Sequence, residues 1–349
     1  MTVSKKTLQA RSQWKPLFEL ADRIDRLDPW PWMGMADCFG VMVPGWKEPC
    51  FAIFGGQSKA FRSVRFLLGW KSFYDFVTRS ADPARQVATW LLEIRMIEVL
   101  FVSRELLFDH ELPVLSALGR KPDDAYTTPM FRSVIPGYHP WLPDEKERGL
   151  LEVALYQAFG MAMRVELDGM LLKTRFPREL LMRRQDAKGV WQDAWVPVKE
   201  LRDEEVEVHI ESKYLKGVQD KPLKTTTLQI DLVFTPLRLL PEGSRPQTAY
   251  VLLAVDAASG FIVSGELLQA TEGVANMWAQ VPERVLRVFD QLGGCPEAIE
   301  VCTDRMANIL RPLGEYLPFK MVRREKLAML DAAREHLSAY FTRPGEKPS

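Results

Sequence analysis

The sequence predicts a two-domain protein of the α+β / α/β class: an N-terminal α+β domain over 1–170, a β-rich connector over 171–227 and a C-terminal mixed sheet with helices over 228–349. Three observations carry this. The chain has 349 residues, more than the roughly 100–200 of one ordinary domain. Its first half alternates long amphipathic stretches with short apolar runs. Its last third reads strand, strand, strand, helix, strand, helix, strand, helix.

The elements follow in order. Trp14, Leu17, Phe18, Ala21, Ile24 and Leu27 recur at helical spacing, so Ser12–Leu27 is expected to be a helix with one buried face, ended by Asp28-Pro29. Cys38–Val43 and Cys50–Phe54 are strand candidates joined through Pro44, Gly45 and Pro49. A helical region is expected from Ser58 towards Thr78, interrupted at Gly69, and Ile94–Val102 is apolar enough for a strand. Gly55-Gly56-Gln57-Ser58 has the form of a phosphate-holding turn but not the spacing of a P-loop, and a glycine turn with Ser58 as N-cap accounts for it.

Phe131–Pro143 is rich in proline and aromatic residues and reads as a stiff loop. Because proline fixes φ, such a loop can present Tyr138, His139 and Trp141 as a recognition surface, and packing at the core edge is the commoner use of such aromatics. The acidic run after Pro143 opens a helix in which Leu151, Leu155, Phe159, Met163 and Leu167 recur every fourth residue, read as a core stripe. In the connector, Leu180–Arg184 and Val190–Val198 flank a hairpin turn at Asp186–Gly189. Val206, Val208 and Ile210 alternate with Glu207, His209 and Glu211 as a one-sided strand, and Lys213, Lys216, Lys221 and Lys224 punctuate a solvated loop.

Composition excludes several classes. Apolar residues at 47% and charged residues at 26% are globular values. Lys+Arg 46 against Asp+Glu 46 leaves no net field to draw the chain onto nucleic acid or an anionic membrane. Cys38, Cys50, Cys295 and Cys302 form no C-x-x-C pair and read as reduced, buried thiols. No stretch reaches the ~20 uninterrupted apolar residues of a membrane span, and the N-terminus lacks the apolar run of a signal peptide, so a cytoplasmic location and no membrane partner are expected.

Trp14, Asp28-Pro29-Trp30-Pro31-Trp32-Met33, Phe39-Gly40-Val41, Gly55-Gly56 and Pro136-Gly137-Tyr138-His139-Pro140-Trp141 together resemble a bacterial family classed as domain of unknown function 7309, over Trp14 to Asp168. Ala249–Gly260, Gly294–Ile299 and the closing helix are similar to domain of unknown function 6930. Neither resemblance implies catalytic residues.

Leu228, Ile230, Leu232 and Phe234 share one face of a strand, which leaves Asp231 on the other with Gln229 and Val233. Tyr250–Val255 is apolar on both faces and reads as an interior strand, with Asp256 a turn residue. Ile230-Asp231-Leu232, the strand ending at Asp256, Pro296 with Ile299, and Thr303-Asp304 resemble the ribonuclease-H-like core of transposases and retroviral-type integrases. That resemblance implies carboxylates holding two Mg²⁺ ions about 3.5–4 Å apart for phosphoryl transfer, with Asp231 and Asp304 at two of the positions. The glycine that follows the second aspartate in that family is absent from Asp304-Arg305-Met306-Ala307.

Asp331 and Glu335 are the candidates for a third carboxylate. Leu327, Leu330, Ala333 and Leu337 form the apolar stripe of the last helix. At about 100° per residue, Glu335 falls roughly 140° from Leu330, facing water, and Asp331 about 100° away, nearer the stripe. Asp304 has a competing role as a helix N-cap. The expectation is a non-catalytic binding or assembly protein without cofactor, its partner a protein or a second copy. The alternative is an Mg²⁺-dependent nuclease or strand-transfer enzyme, and only under it are Mg²⁺ and nucleic acid expected.

Overall fold

The structure, a computed structural model, describes residues 5–56, 62–80, 91–199, 208, 210–239 and 245–341. The described residues divide into two compact units: those within 1–82, 90–135 and 140–202 form the first, and those within 136–139 and 203–349 the second.

The first unit opens with helix α1 (Lys5–Leu27), ended by Asp28, whose φ of 48° turns the chain out before Pro29. Strands β1 (Phe39–Val41), β2 (Cys50–Gly55) and β3 (Ser63–Leu68) follow, then α2 (Gly69–Ser80), β4 (Met96–Val102), α3 (Leu112–Ala117), β5 (Thr128–Val134), α4 (Glu145–Leu167), β6 (Glu179–Gln185) and β7 (Trp191–Pro197). The strands make one seven-stranded sheet in the order β5-β4-β3-β2-β1-β6-β7, antiparallel except for the β1–β6 pair. α1 and α4 cover one face over Phe39, Ala52, Phe66, Val99 and Phe131. Phe73 and Phe76 of α2 lie over Phe51, Ile53, Leu67 and Met96 on the other.

Several expectations are corrected here. Residues 63–68 are a strand rather than part of a helix, because Val64, Phe66 and Leu67 are buried against β2 and β4, and α2 begins only where Gly69 takes φ +85°. The first four residues of the expected loop at Phe131–Pro143 belong to β5. The hairpin of the expected connector forms as read, yet Gly40 and Val41 pair with Met182 and Arg183, which makes it part of the N-terminal sheet. On α4 the buried apolar residues are Leu150, Leu151, Ala154, Leu155, Ala158, Met161, Ala162 and Val165. A spacing of four advances about 40° per step around a helix of 3.6 residues per turn. The fourfold stripe therefore drifts outward, and Met163 (40% exposed) and Leu167 (89% exposed) face solvent.

The second unit contains α5 (Ser212–Gln219), β8 (Lys224–Leu239), β9 (Gln247–Asp256), β10 (Ile262–Gln269), α6 (Val274–Ala279), α7 (Val281–Leu292), β11 (Pro296–Val301), α8 (Asp304–Leu310), β12 (Lys320–Arg323) and α9 (Ala328–Phe341). From β8 onward this is the predicted order, except that two helices, α6 and α7, stand between β10 and β11 where one was expected. Lys213 and Lys216 lie on α5 where a loop was expected, since Val218 is buried and Tyr214 and Leu215 pack beside it. The sheet runs β10-β9-β8-β11-β12, with β8–β10 antiparallel and β11 and β12 parallel to β8. One face, with Leu228, Ile230, Leu252 and Ala254, is covered by α5–α8, and Leu232 and Phe234 pack against this core. The other, with Val233, Val251, Leu253 and Val255, is covered by Leu330 and Ala333 of α9 and by Leu327 just before it.

Candidate functional site

Asp231 lies on the α9-facing side of β8, as the alternation predicts, with Leu253 as its register neighbour. It is half-buried and its Oδ1 accepts the N–H of Leu232 at 2.9 Å. Asp304 is carried by the adjacent strand's continuation. It is not the N-cap of α8: Thr303 is, its Oγ1 accepting the N–H of Met306 at 3.1 Å. Asp304 stands at the first helical position with 86% of its side chain exposed, and its Oδ1 accepts Nε of Arg323 at 3.1 Å. Asp331 pairs with Arg334 at 3.1 Å, and Glu335 is exposed.

A different group stands on the same two strands, two residues before Asp231 and four before Asp304. Gln229 and Glu300 are register partners on β8 and β11, and the Gln229 amide donates to Glu300 at 3.0 Å. Arg324 Nε donates to the other Glu300 oxygen at 2.7 Å. The Gln229 carbonyl oxygen accepts the N–H groups of Met329 and Leu330, both at 3.0 Å, so a sheet side chain caps the last helix. Among the described residues no three His, Cys, Asp or Glu side chains gather closely enough to hold a metal ion. Asp256 ends β9 at the turn, and its carboxylate, held by hydrogen bonds from Ser259 and then Thr226, sits well below the ordinary value at about 2.

The proline loop is packed. Gly137, Tyr138 and His139 group with the second unit, where Tyr138 bridges to Gln247 and the His139 N–H donates to Pro246 at 2.9 Å. His139 is 9% exposed. Trp141 belongs to the first unit, bridged to Ser133 and stacked on His110 with centroids 3.7 Å apart. Of the glycine turn, Gly55 ends β2, while Gln57 and Ser58 lie outside the described residues, as does His209.

What the sequence reading missed is a groove on the first unit. Helices α1 and α4 run side by side in the same direction, Arg148 lying over Trp14 and Arg23 over Phe159. With the β6–β7 hairpin they enclose a cavity of about 640 Å³ whose lining includes Leu20, Pro44, Val153, Tyr156 and Trp191. A second cavity of about 240 Å³ follows along α4 beside Phe159, Gly160 and Met163. Arg23, Tyr156 and Gln157 line both and mark their junction.

The charges there are unequal. Arg164 and Arg183 donate to the two oxygens of Asp193 at 2.6 and 2.5 Å. Burial pushes the Asp193 carboxyl up, and these two guanidinium hydrogen bonds outweigh it and hold the group below its ordinary value. Arg23 has no carboxylate partner among the described residues. The groove's clearest trace in the sequence is Gly149 and Gly160, two glycines inside α4, each costing about 1 kcal/mol relative to alanine. They stand eleven residues apart, about three turns, on one face, and a Cβ at either would meet nothing within 4 Å.

The fold and these sites define a two-unit mixed α/β protein with an open groove on one unit and dispersed carboxylates on the other. Residues 14–183 match the family model described as a domain of unknown function (DUF7309), and residues 214–338 match a second domain of unknown function (DUF6930). A search of curated proteins finds no match. No helix among the described residues is long and apolar enough to cross a membrane.

Proposed function

We propose that this is a non-catalytic binding protein in which the α1–α4 groove receives the ligand and the second unit is a ribonuclease-H-like frame without an active site. The frame is supported by the strand order and by the parallel placement of β11 and β12 beside the β8–β10 meander. The observation that carries the non-catalytic reading is the Gln229 bridge. The sheet face that bears Asp231 is closed by α9, whose N-terminal N–H groups rest on Gln229, while Asp304 engages Arg323 in solvent. Carboxylates that share a cation need one open cavity, and here each has a different neighbour.

The groove supports the binding half: its volume falls in the range of about 300–1,000 Å³ usual for ligand sites, and its lining mixes apolar Leu20, Pro44, Val153 and Trp191 with polar Glu19, Arg23, Glu152 and Gln157. The test is incubation with single-stranded, duplex and branched DNA and with RNA in Mg²⁺ or Mn²⁺. No cleavage is expected. Metal-dependent cleavage that disappears in Asp231→Ala would establish the alternative nuclease instead, a reading that rests on Asp231 standing on β8 and Asp304 just beyond its neighbour β11.

A further inference from the structure

Each of the two sheets has two edges, and three of the four are guarded. β5 is bridged at Ser133 by Trp141, the two exchanging backbone hydrogen bonds of 2.7 and 3.1 Å. β7 carries Asp193 and ends in Pro197, and β12 is four residues long with Lys320 and Arg323 at its ends. Short length, charge and proline keep an edge from pairing with another chain. β10 is built differently. Its eight residues contain no Lys, Arg or Pro, and their one charge, Glu266, is held by Arg284 of α7 at 3.2 Å. The register shifts between Ile262 and Ser264, and from Ser264 to Gln269 the strand is regular, with no strand on its outer side among the described residues.

The side of β10 turned towards α9 is apolar and bare. Ile262, Gly265 and Leu267 stand in register with Val255, Leu253 and Val251 of β9, the residues that α9 covers. Ile262 and Leu267, together with Phe261 before the strand and Met329 of α9, are between 38% and 69% exposed. Four such side chains leave on the order of 350 Å² open, within the about 300–600 Å² of the largest patch on a typical monomer, which is often functional. Gly265 is a second and independent sign. It pairs in regular register, its φ is not positive, and a Cβ there would meet only Val251 and Leu253, at the ordinary contact distances of 3.7 and 3.9 Å. Nothing within the described residues requires a glycine. One inside a strand, at a cost in stability, marks a place where another backbone comes close.

We propose that β10 pairs antiparallel with β10 of a second copy of this chain, about a two-fold axis at Glu266, so that the two five-stranded sheets become one. In that register Leu267 of each copy lies opposite Gly265 of the other. The strand thus carries both the projecting side chain and the space for it, two residues apart on one face, which favours a second copy over an unrelated strand. The charges fit the same axis: Glu266 meets Glu266, and the half-exposed Arg284 beside each makes a cluster of two acids and two bases. The backbone edge with Ser264, Glu266 and Gln269 adds to the apolar patch towards the ~800 Å² that each partner buries in a standard interface. Pairing also closes the assembly, since only the guarded β12 edges are then left and the sheet does not grow into a fibre.

The test is sedimentation velocity of the full chain across the micromolar range, where a species of twice the 40.0 kDa chain mass is expected. Leu267→Lys, at an exposed position, should raise the dimer dissociation constant roughly tenfold or more, because each dimer carries the new charge twice, and should leave the circular dichroism of the chain unchanged. A second measurement reads the register. In a Cys302→Ser background, Glu266→Cys should cross-link two chains under mild oxidation, since directly opposed residues of antiparallel strands have Cβ atoms about 4.5–5.5 Å apart. Gln269→Cys, away from the axis, should not. A chain that stays monomeric overturns the proposal and leaves the edge for a strand of another protein. A dimer indifferent to Leu267→Lys overturns it as well, by placing the contact elsewhere. Cross-linking through Gln269→Cys but not Glu266→Cys overturns the register and with it the contact of Leu267 with Gly265.

Discussion

Glu111 is 0% exposed and meets Arg132 through two hydrogen bonds of 2.7 and 3.0 Å, with the N–H of Phe108 completing its shell. The guanidinium also donates to the Leu106 carbonyl and lies over the Phe108 ring. Two charges out of water are sustained only while every partner is present, because the desolvation of each is matched by the attraction of the other. Glu111→Ala leaves the cation buried alone and is expected to lower unfolding free energy by about 3–5 kcal/mol in urea titration. Pairing Arg132→Met with Glu111→Leu removes both charges and should recover most of that loss. A small effect of the single substitution would show that water replaces the carboxylate. None of this was legible beforehand, since Glu111 and Arg132 are separated by 21 residues and neither stands in a motif.

Helix boundaries were legible where the signals are local. Asp144 caps α4 in a capping box with Glu147, the arrangement that the acidic run after Pro143 announces. α9 differs, because its cap comes from Gln229, 100 residues away on β8. Gln229→Leu removes the acceptor for two N–H groups and the donor to Glu300, so the first turn of α9 should fray. Amide exchange at Met329 and Leu330 is expected to quicken and stability to fall by about 1–2 kcal/mol, the worth of a helix cap. Unchanged exchange at these two amides would mean that burial of Leu327 and Leu330 alone holds the helix in place. The outward drift of Met163 and Leu167 carries the same lesson, for a stripe read at period four loses the core face within a few turns.

The four cysteines sample both units, and three are buried. Burial pushes the thiols of Cys38 and Cys50 up to about 12 and that of Cys295 up to about 11. Thiolate, the reactive form, is therefore scarce at these three positions near neutral pH. Cys302 is only half-buried, its Sγ donating to the Glu325 carbonyl at 3.3 Å. A thiol-specific disulfide reagent at pH 8 should modify one thiol rapidly in the native protein and four in denaturant. Cys302→Ser should abolish the rapid phase, and a second rapid thiol would show that one of the buried positions opens in the native state. The absence of paired cysteines predicts four buried thiols, and Cys302 departs from this because it follows the last residue of β11, where the strand gives way to α8.

What the sequence determined by itself is local and periodic. The alternation along β8 put Leu228 and Ile230 on one face and Asp231 on the other, and the order of elements from β8 to α9 followed from runs of apolar residues broken by turns. Those features depend on residues two to four apart, which a linear reading sees. Tertiary structure decided which elements become neighbours. It placed the β6–β7 hairpin beside β1, set Gln229 under α9 where a carboxylate cluster was sought, and laid α1 along α4 so that Arg23, Tyr156 and Gln157 meet. Such pairings join residues tens to over a hundred positions apart, and the forces that select them act between surfaces that exist only after the local elements have formed.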